Sequence, residues 1–193
     1  MKTIRLVLAG PSGAGKDTLR KKILERRNDI FFNVSYTTRE KRDDEIEGID
    51  YHFVTKEKFQ EMVDNNEFLE HVNYSTGRYG TCKIPEDVLK NKDILFRKDV
   101  RGAISLKEKF PYTLTFYILP KDKDRLKKQK GDRGEDRDKI ALEEVELAKK
   151  LDFLIINDDP DKAVDEILNI IDVYKNHSMM NSKNTDFLDE YYK

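Results

Sequence analysis

Nine residues, Gly10-Pro11-Ser12-Gly13-Ala14-Gly15-Lys16-Asp17-Thr18, constrain this chain more than any other stretch. Ahead of them, Ile4 to Ala9 is apolar and β-prone apart from Arg5. Behind them, Leu19, Ile23 and Leu24 share one face of a helix that carries Arg20, Lys21, Lys22 and Glu25 elsewhere. A buried strand, a Gly-x-x-x-x-Gly-Lys loop and a helix, in that order, form a phosphate cradle. The loop N–H groups turn inward, and the helix N-terminus adds roughly half a positive charge. Lys16 brings a mobile full charge suited to β- and γ-phosphates. The residue after such a lysine is usually Ser or Thr, whose hydroxyl faces Mg²⁺; here it is Asp17, so either Asp17 or Thr18 is the candidate metal-facing residue. Taken alone, the same residues also fit an ordinary glycine turn capping a helix.

A chain of 193 residues fits a single domain with a full core. No apolar run approaches 18 residues, and the first strand begins at residue 4, so neither a membrane span nor a signal peptide is expected. One cysteine, Cys82, excludes an internal disulfide and suits a reducing, cytoplasmic location. Three scattered histidines make no zinc-like cluster. Charged residues are 39% of the chain, yet the net charge is −1, without the basic excess of a dedicated nucleic-acid binder.

Taken in order, the sequence predicts a strand over Ile30–Tyr36, a short strand near Tyr51–Val54, a helix marked by Phe59, Met62 and Val63, and a strand over Phe68–Val72. A turn is expected at Gly77–Thr81 and a helix near Pro85–Lys90. The scaffold resumes at Ile94–Phe96, with a helix at 101–109, a strand over Thr113–Leu119, a basic stretch to Lys130 and a charged glycine-containing segment. A helix around Ile140, Val145 and Leu147, a strand over Phe153–Asn157 and a helix opened by Pro160 complete it. From about 175 the chain turns polar and is expected to fray. Alternating strands and helices imply an α/β fold with a parallel sheet covered on both faces. Its ligands are expected at the carboxyl ends of the strands.

The loop is joined by further motifs. Val34-Ser35-Tyr36-Thr37-Thr38-Arg39-Glu40-Lys41-Arg42 and Gly48-Ile49-Asp50-Tyr51-His52-Phe53-Val54 resemble the nucleotide-acceptor region of guanylate kinases. Phe68-Leu69-Glu70, Tyr79-Gly80-Thr81, Asp99-Val100-Arg101-Gly102-Ala103, Ile118-Leu119-Pro120 and Ile156-Asn157-Asp158-Asp159 continue the resemblance in register over about residues 4–171. It implies a three-layer P-loop NTPase fold with an inserted mixed acceptor-binding subdomain and a short lid. The implied organisation is one domain over 1–175: core at about 1–34 and 91–175, insertion at about 35–90, lid at about 125–140, and a polar tail at 176–193. By resemblance, Gly10 to Thr18 and Asn157 bind ATP, with Asn157 near the adenine. Arg39, Arg42, Tyr51 and Tyr79 hold the acceptor phosphate, for which guanidinium forks and phenol donors are suited. Ser35, Glu70, Thr81 and Asp99 read a guanine edge; a carboxylate accepts from guanine N1–H and N2–H, which adenine lacks. Lys16, Arg39, Arg42 and the lid residue Arg125 are the implied catalytic set. The implied reaction transfers the ATP γ-phosphoryl group, with Mg²⁺, to GMP or dGMP. The expected state is a monomer or homodimer that engages neither membrane nor nucleic acid.

Three positions depart from that pattern. Arg97 stands where the family has an acid at a strand end, the lid has lost arginines, and Asp17 follows Lys16. The loss of an acid at 97 and its gain at 17 suggest a cross-site Asp17–Arg97 pair; the rival assignment puts Asp17 on the metal and Arg97 on phosphate. Two other functions remain open at this stage: a non-catalytic guanylate-kinase-like binding module, and a related kinase with a different phosphorylated acceptor.

Overall fold

The computed structural model describes residues 3–121, 144 and 146–191, with side chains described as far as residue 177. The expected lid, including Arg125, and the basic stretch beyond Lys121 lie outside the described residues, as do Ile140 and Val145 of the helix expected to follow.

β1 (Arg5–Ala9) is the centre of a five-stranded parallel sheet. It pairs with β7 (Asp93–Arg97) on one side and β8 (Thr113–Pro120) on the other, with Leu6 opposite Leu95 and Leu114. β2 (Ile30–Phe32) and β9 (Phe153–Asn157) form the edges, giving the order β2-β7-β1-β8-β9. Strands buried on both faces carry near-continuous apolar runs, and β1 and β7 read that way.

Alternation along the strands divides the core. Leu6 and Leu8 pack with Leu19 and Ile23 of α1 (Lys16–Arg26) and with Ala163, Val164, Ile167 and Ile171 of the last helix, α5 (Pro160–Tyr191). Val7, Ala9, Ile94 and Phe96 face the other way, against Val100, Ala103 and Leu106 of α4 (Val100–Lys109) and partly against Val88 and Leu89 of α3 (Glu86–Asn91). The outer rims of α1 and α5 also match in charge: Arg26 bonds Asp161 and Asp165, and Arg27 bonds Asp172 at 2.8 Å.

A second, four-stranded sheet has the order β4-β3-β6-β5. It comprises β3 (Tyr36–Thr37), β4 (His52–Phe53), β5 (Phe68–Tyr74) and β6 (Gly77–Cys82), with α2 (Lys56–Asp64) packing Phe59 and Met62 against Phe68.

Three expectations change. The Ile30–Tyr36 run is not one strand: it leaves the first sheet at buried Asn33 and enters the second at Tyr36. Asn33 donates its backbone N–H to Leu95 O and its amide to Cys82 O, both at 3.0 Å, and so pins the crossing. Gly77–Thr81 is strand rather than turn, because the hairpin turns earlier, at Ser75 and Thr76. The last helix does not end near 175 but continues to Tyr191; no Gly or Pro interrupts residues 161–191.

Candidate nucleotide site at the strand ends

The loop between β1 and α1 closes over the carboxyl end of the central strand. Gly10 has φ +138°, and a Cβ there would lie 2.4 Å from Ile118 O. Gly15, the N-cap of α1, has φ +89°, and a Cβ would lie 2.2 Å from Asn157 Nδ2. Both positions therefore require glycine, for conformation and for space. Lys16 folds back, its Nζ donating to Gly10 O at 2.7 Å and Pro11 O at 2.8 Å. Burial lowers its pKa to about 8, against the pull of Asp17 and with a push from Arg97. Asn157 is only 3% exposed, and its amide donates to Ala14 O at 2.9 Å. The resemblance implies a place for this side chain near the adenine; in the structure its amide braces the loop backbone.

Asp17 meets Arg97 in an ion pair across the site. Arg97, 10% exposed at the end of β7, also donates to Asp50 O at 2.7 Å and lies 4.6 Å from the Tyr51 ring centroid. Arg20, 3% exposed on α1, approaches Asp17 at 3.5 Å and Asp50 at 3.1 Å, and donates to Ile49 O at 3.0 Å. Two guanidiniums and two carboxylates thus tie α1, the end of β7 and the 46–51 loop together.

Beyond Arg97 lies the second cationic cluster. Arg39 pairs with Glu45 at 2.6 Å and faces the Tyr51 ring at 5.6 Å, with the Tyr79 hydroxyl in its electrostatic surroundings. Tyr51 and Tyr79 meet edge to face at 5.8 Å. Glu45 also accepts the Arg42 N–H at 2.9 Å, which fixes the turn, while the Arg42 side chain is exposed. Burial raises the Tyr51 pKa, so its hydroxyl stays a donor at neutral pH.

Glu70 on β5 lies opposite Thr81 on β6, with the Thr81 hydroxyl 3.5 Å from Glu70 Oε1. Lys98, immediately after β7, reaches both: its Nζ is 2.6 Å from Glu70 Oε1 and donates to the Thr81 hydroxyl. Asp99 caps α4, accepting Gly102 N–H at 2.7 Å, and also takes the Tyr74 hydroxyl. Ser35 anchors this region through its carbonyl, which accepts His52 N–H at 2.9 Å.

The structure therefore brings together Lys16, Asp17 and Arg97; then Arg39, Tyr51 and Tyr79; then Glu70, Thr81 and Asp99. Sequence reasoning missed Lys98, Arg20, Asp50, Glu45 and Tyr74. Lys98 carried a signal, since two consecutive basic residues end a buried strand that points into the site. The others needed the tertiary contacts.

The sequence profile of the family described as guanylate kinase matches residues 2–174. A guanylate kinase of Clostridioides difficile is 38% identical over 184 residues, covering 91% of this chain and 90% of its own. One of Oceanobacillus iheyensis is 35% identical over 179 residues, 88% of this chain and 87% of its own. The crystal structure of guanylate kinase from Anaplasma phagocytophilum superposes with a TM-score of 0.73 at 30% identity, covering 89% of this chain and 86% of that one. With the loop, the two sheets and these matches in agreement, the chain belongs to the guanylate kinase family.

Proposed function

We propose that the protein transfers the γ-phosphoryl group of ATP to GMP or dGMP, releasing ADP and GDP or dGDP. The observation that carries this is Arg97. It touches Asp17 beside the glycine loop and Tyr51 beside Arg39 and Tyr79, so one guanidinium spans the loop and the second cationic cluster.

In this reading Lys16 leaves the Gly10 and Pro11 carbonyls for the β- and γ-phosphates of ATP, while the loop N–H groups cradle them. Asn157 contributes by holding Ala14 in place. Arg39, Tyr51 and Tyr79 hold the acceptor phosphate in line, with Arg42 joining from the same loop. Glu70 accepts guanine N1–H and N2–H, Ser35 and Thr81 donate towards O6 and N7, and Asp99, which also caps α4, reads the same base edge. Arg125, on the lid segment at about 125–140, covers the transferred charge, and the 35–90 segment closes over the acceptor. Catalysis is positioning plus charge neutralisation.

Mg²⁺, bound together with the ATP phosphates, would supply neutralisation of the charge on their oxygens. The donor set fits a metal held mainly by substrate: Asp17 is committed to Arg97 and Arg20, and Thr18 is exposed at the next position. Thr18 would then be the residue to offer its hydroxyl to the ion or to one of the ion's waters. The same reading places the protein in the cytosol, with its nucleotide substrates.

The test is ADP release in a coupled assay with Mg²⁺ across GMP, dGMP, AMP, UMP and ribose phosphates. Turnover with GMP and dGMP alone is expected. GMP binding without turnover on any acceptor would leave a binding module instead, and turnover confined to a sugar phosphate would move the acceptor class.

A further inference from the structure

We infer that Lys98 is a specificity-determining residue that reads the O6/N7 side of the acceptor base; this rests on the guanine-directed reading above. Its backbone is fixed by the N–H bond to Leu8 O at 3.0 Å, at the end of the strand that feeds the glycine loop. From there the side chain crosses to the second sheet. It is 11% exposed, with Nζ 2.6 Å from Glu70 Oε1 and bonded to the Thr81 hydroxyl. An ammonium has three hydrogens, and among the described residues these two groups account for two of them.

The geometry of a purine edge assigns the third. A guanine whose N1–H and N2–H rest on Glu70 carries O6 next to N1, on the side where Lys98 bridges Glu70 to Thr81. O6 and N7 are both acceptors, and lysine is a natural donor to that pair. Adenine presents an amino group where O6 would be, so it meets the ammonium donor to donor, and its N1 meets Glu70 acceptor to acceptor. Lys98 thus sets a second barrier to adenine, independent of Glu70. With Lys98 present, Thr81 need not supply the O6 contact alone. Lys98 lies apart from the transferred phosphoryl group, so its effect belongs in acceptor affinity rather than in the chemical step.

The experiment compares GMP with 6-thio-GMP, which keeps N1–H and N2–H but offers sulfur, a poor acceptor, in place of O6. Wild-type enzyme is expected to favour GMP by about 10-fold in kcat/KM, and Lys98→Met to lose that preference, raising the KM for GMP by about 10-fold with kcat little changed. Lys98→Gln, which keeps a neutral donor one bond nearer the backbone, recovers part of the preference, and it carries the test if circular dichroism shows that Lys98→Met does not fold. An unchanged GMP to 6-thio-GMP ratio in both variants overturns the assignment. So does a fall in the KM for GMP, which would mean that Lys98 merely plugs the pocket by neutralising Glu70. If wild-type enzyme turns over neither acceptor while folded, it is the reading of a kinase acting on GMP that fails, not the reading of Lys98 alone.

Discussion

Removing the Asp17 carboxylate tests whether the cross-site pair is structural. Asp17, Asp50, Arg20 and Arg97 form a group of two anions and two cations. Asp17→Ala leaves it with an excess positive charge beside two guanidiniums that have little access to water. Charge centres about 4 Å apart at an effective dielectric near 20 attract by about 4 kcal/mol. Dehydration of the guanidinium and the 50% exposure of Asp17 remove much of this, leaving about 1–3 kcal/mol. Asp17 also sits in the first turn of α1, where the helix dipole contributes about 0.5 kcal/mol. That contribution does not involve Arg97, so a double-mutant cycle with Arg97→Met cancels it. Urea unfolding of the four proteins at pH 7, with m-values checked for constancy, should give a coupling energy of about 1–3 kcal/mol. A coupling below about 0.5 kcal/mol would refute the reasoning from burial and reduce the pair to a screened surface contact.

Other consequences are open to simpler measurements. In the free protein Lys16 titrates near 8 rather than 10.5; bound phosphates restore its proton, so ATP binding above pH 8 takes up a proton and weakens as pH rises towards 10.5. Calorimetry at pH about 8.7 in two buffers of different ionisation enthalpy checks this, and equal heats after buffer correction would contradict it. Gly15→Ala, at φ +89° and with its new methyl against the Asn157 amide, should abolish measurable ATP binding while the far-ultraviolet spectrum remains native. Burial, reinforced by Glu67, raises the Cys82 thiol to about 11. Alkylation of the folded protein by iodoacetamide at pH 8 should therefore run about 100-fold slower than that of a free cysteine, and comparable rates would show that the thiol is not shielded.

Much of the parallel sheet was legible because its strands are buried on both faces and stand out as apolar runs; Ile94 to Phe96 and Thr113 to Leu119 are examples. The split at Asn33 was not legible. Ile30 to Tyr36 is uniformly β-prone, and only the tertiary bonds to Leu95 and Cys82 reveal that the chain changes sheets. The hairpin was misread at Gly77, where glycine suggested a turn that begins two residues sooner. Within the site, Lys16, Arg39, Glu70 and Thr81 stand in local motifs, and the structure brings them to the same end of the sheet as Arg97. Arg20 and Asp50 were not legible, since a buried arginine on a helix looks like any solvated one until its partner arrives from 30 residues away in sequence.

The end of β7 has a consequence for how the two substrates sense each other. Successive side chains of an extended chain point to opposite sides. Arg97 accordingly reaches Asp17 at the donor loop, while Lys98 reaches Glu70 and Thr81 in the other sheet. Each cation already has an internal partner, Asp17 for Arg97 and Glu70 with Thr81 for Lys98. The two cations hang from adjacent residues at the end of one strand, so a nucleotide that moves either one acts on the peptide that carries the other. Donor and acceptor affinities are then linked, and whatever factor ATP lends to GMP, GMP must return to ATP.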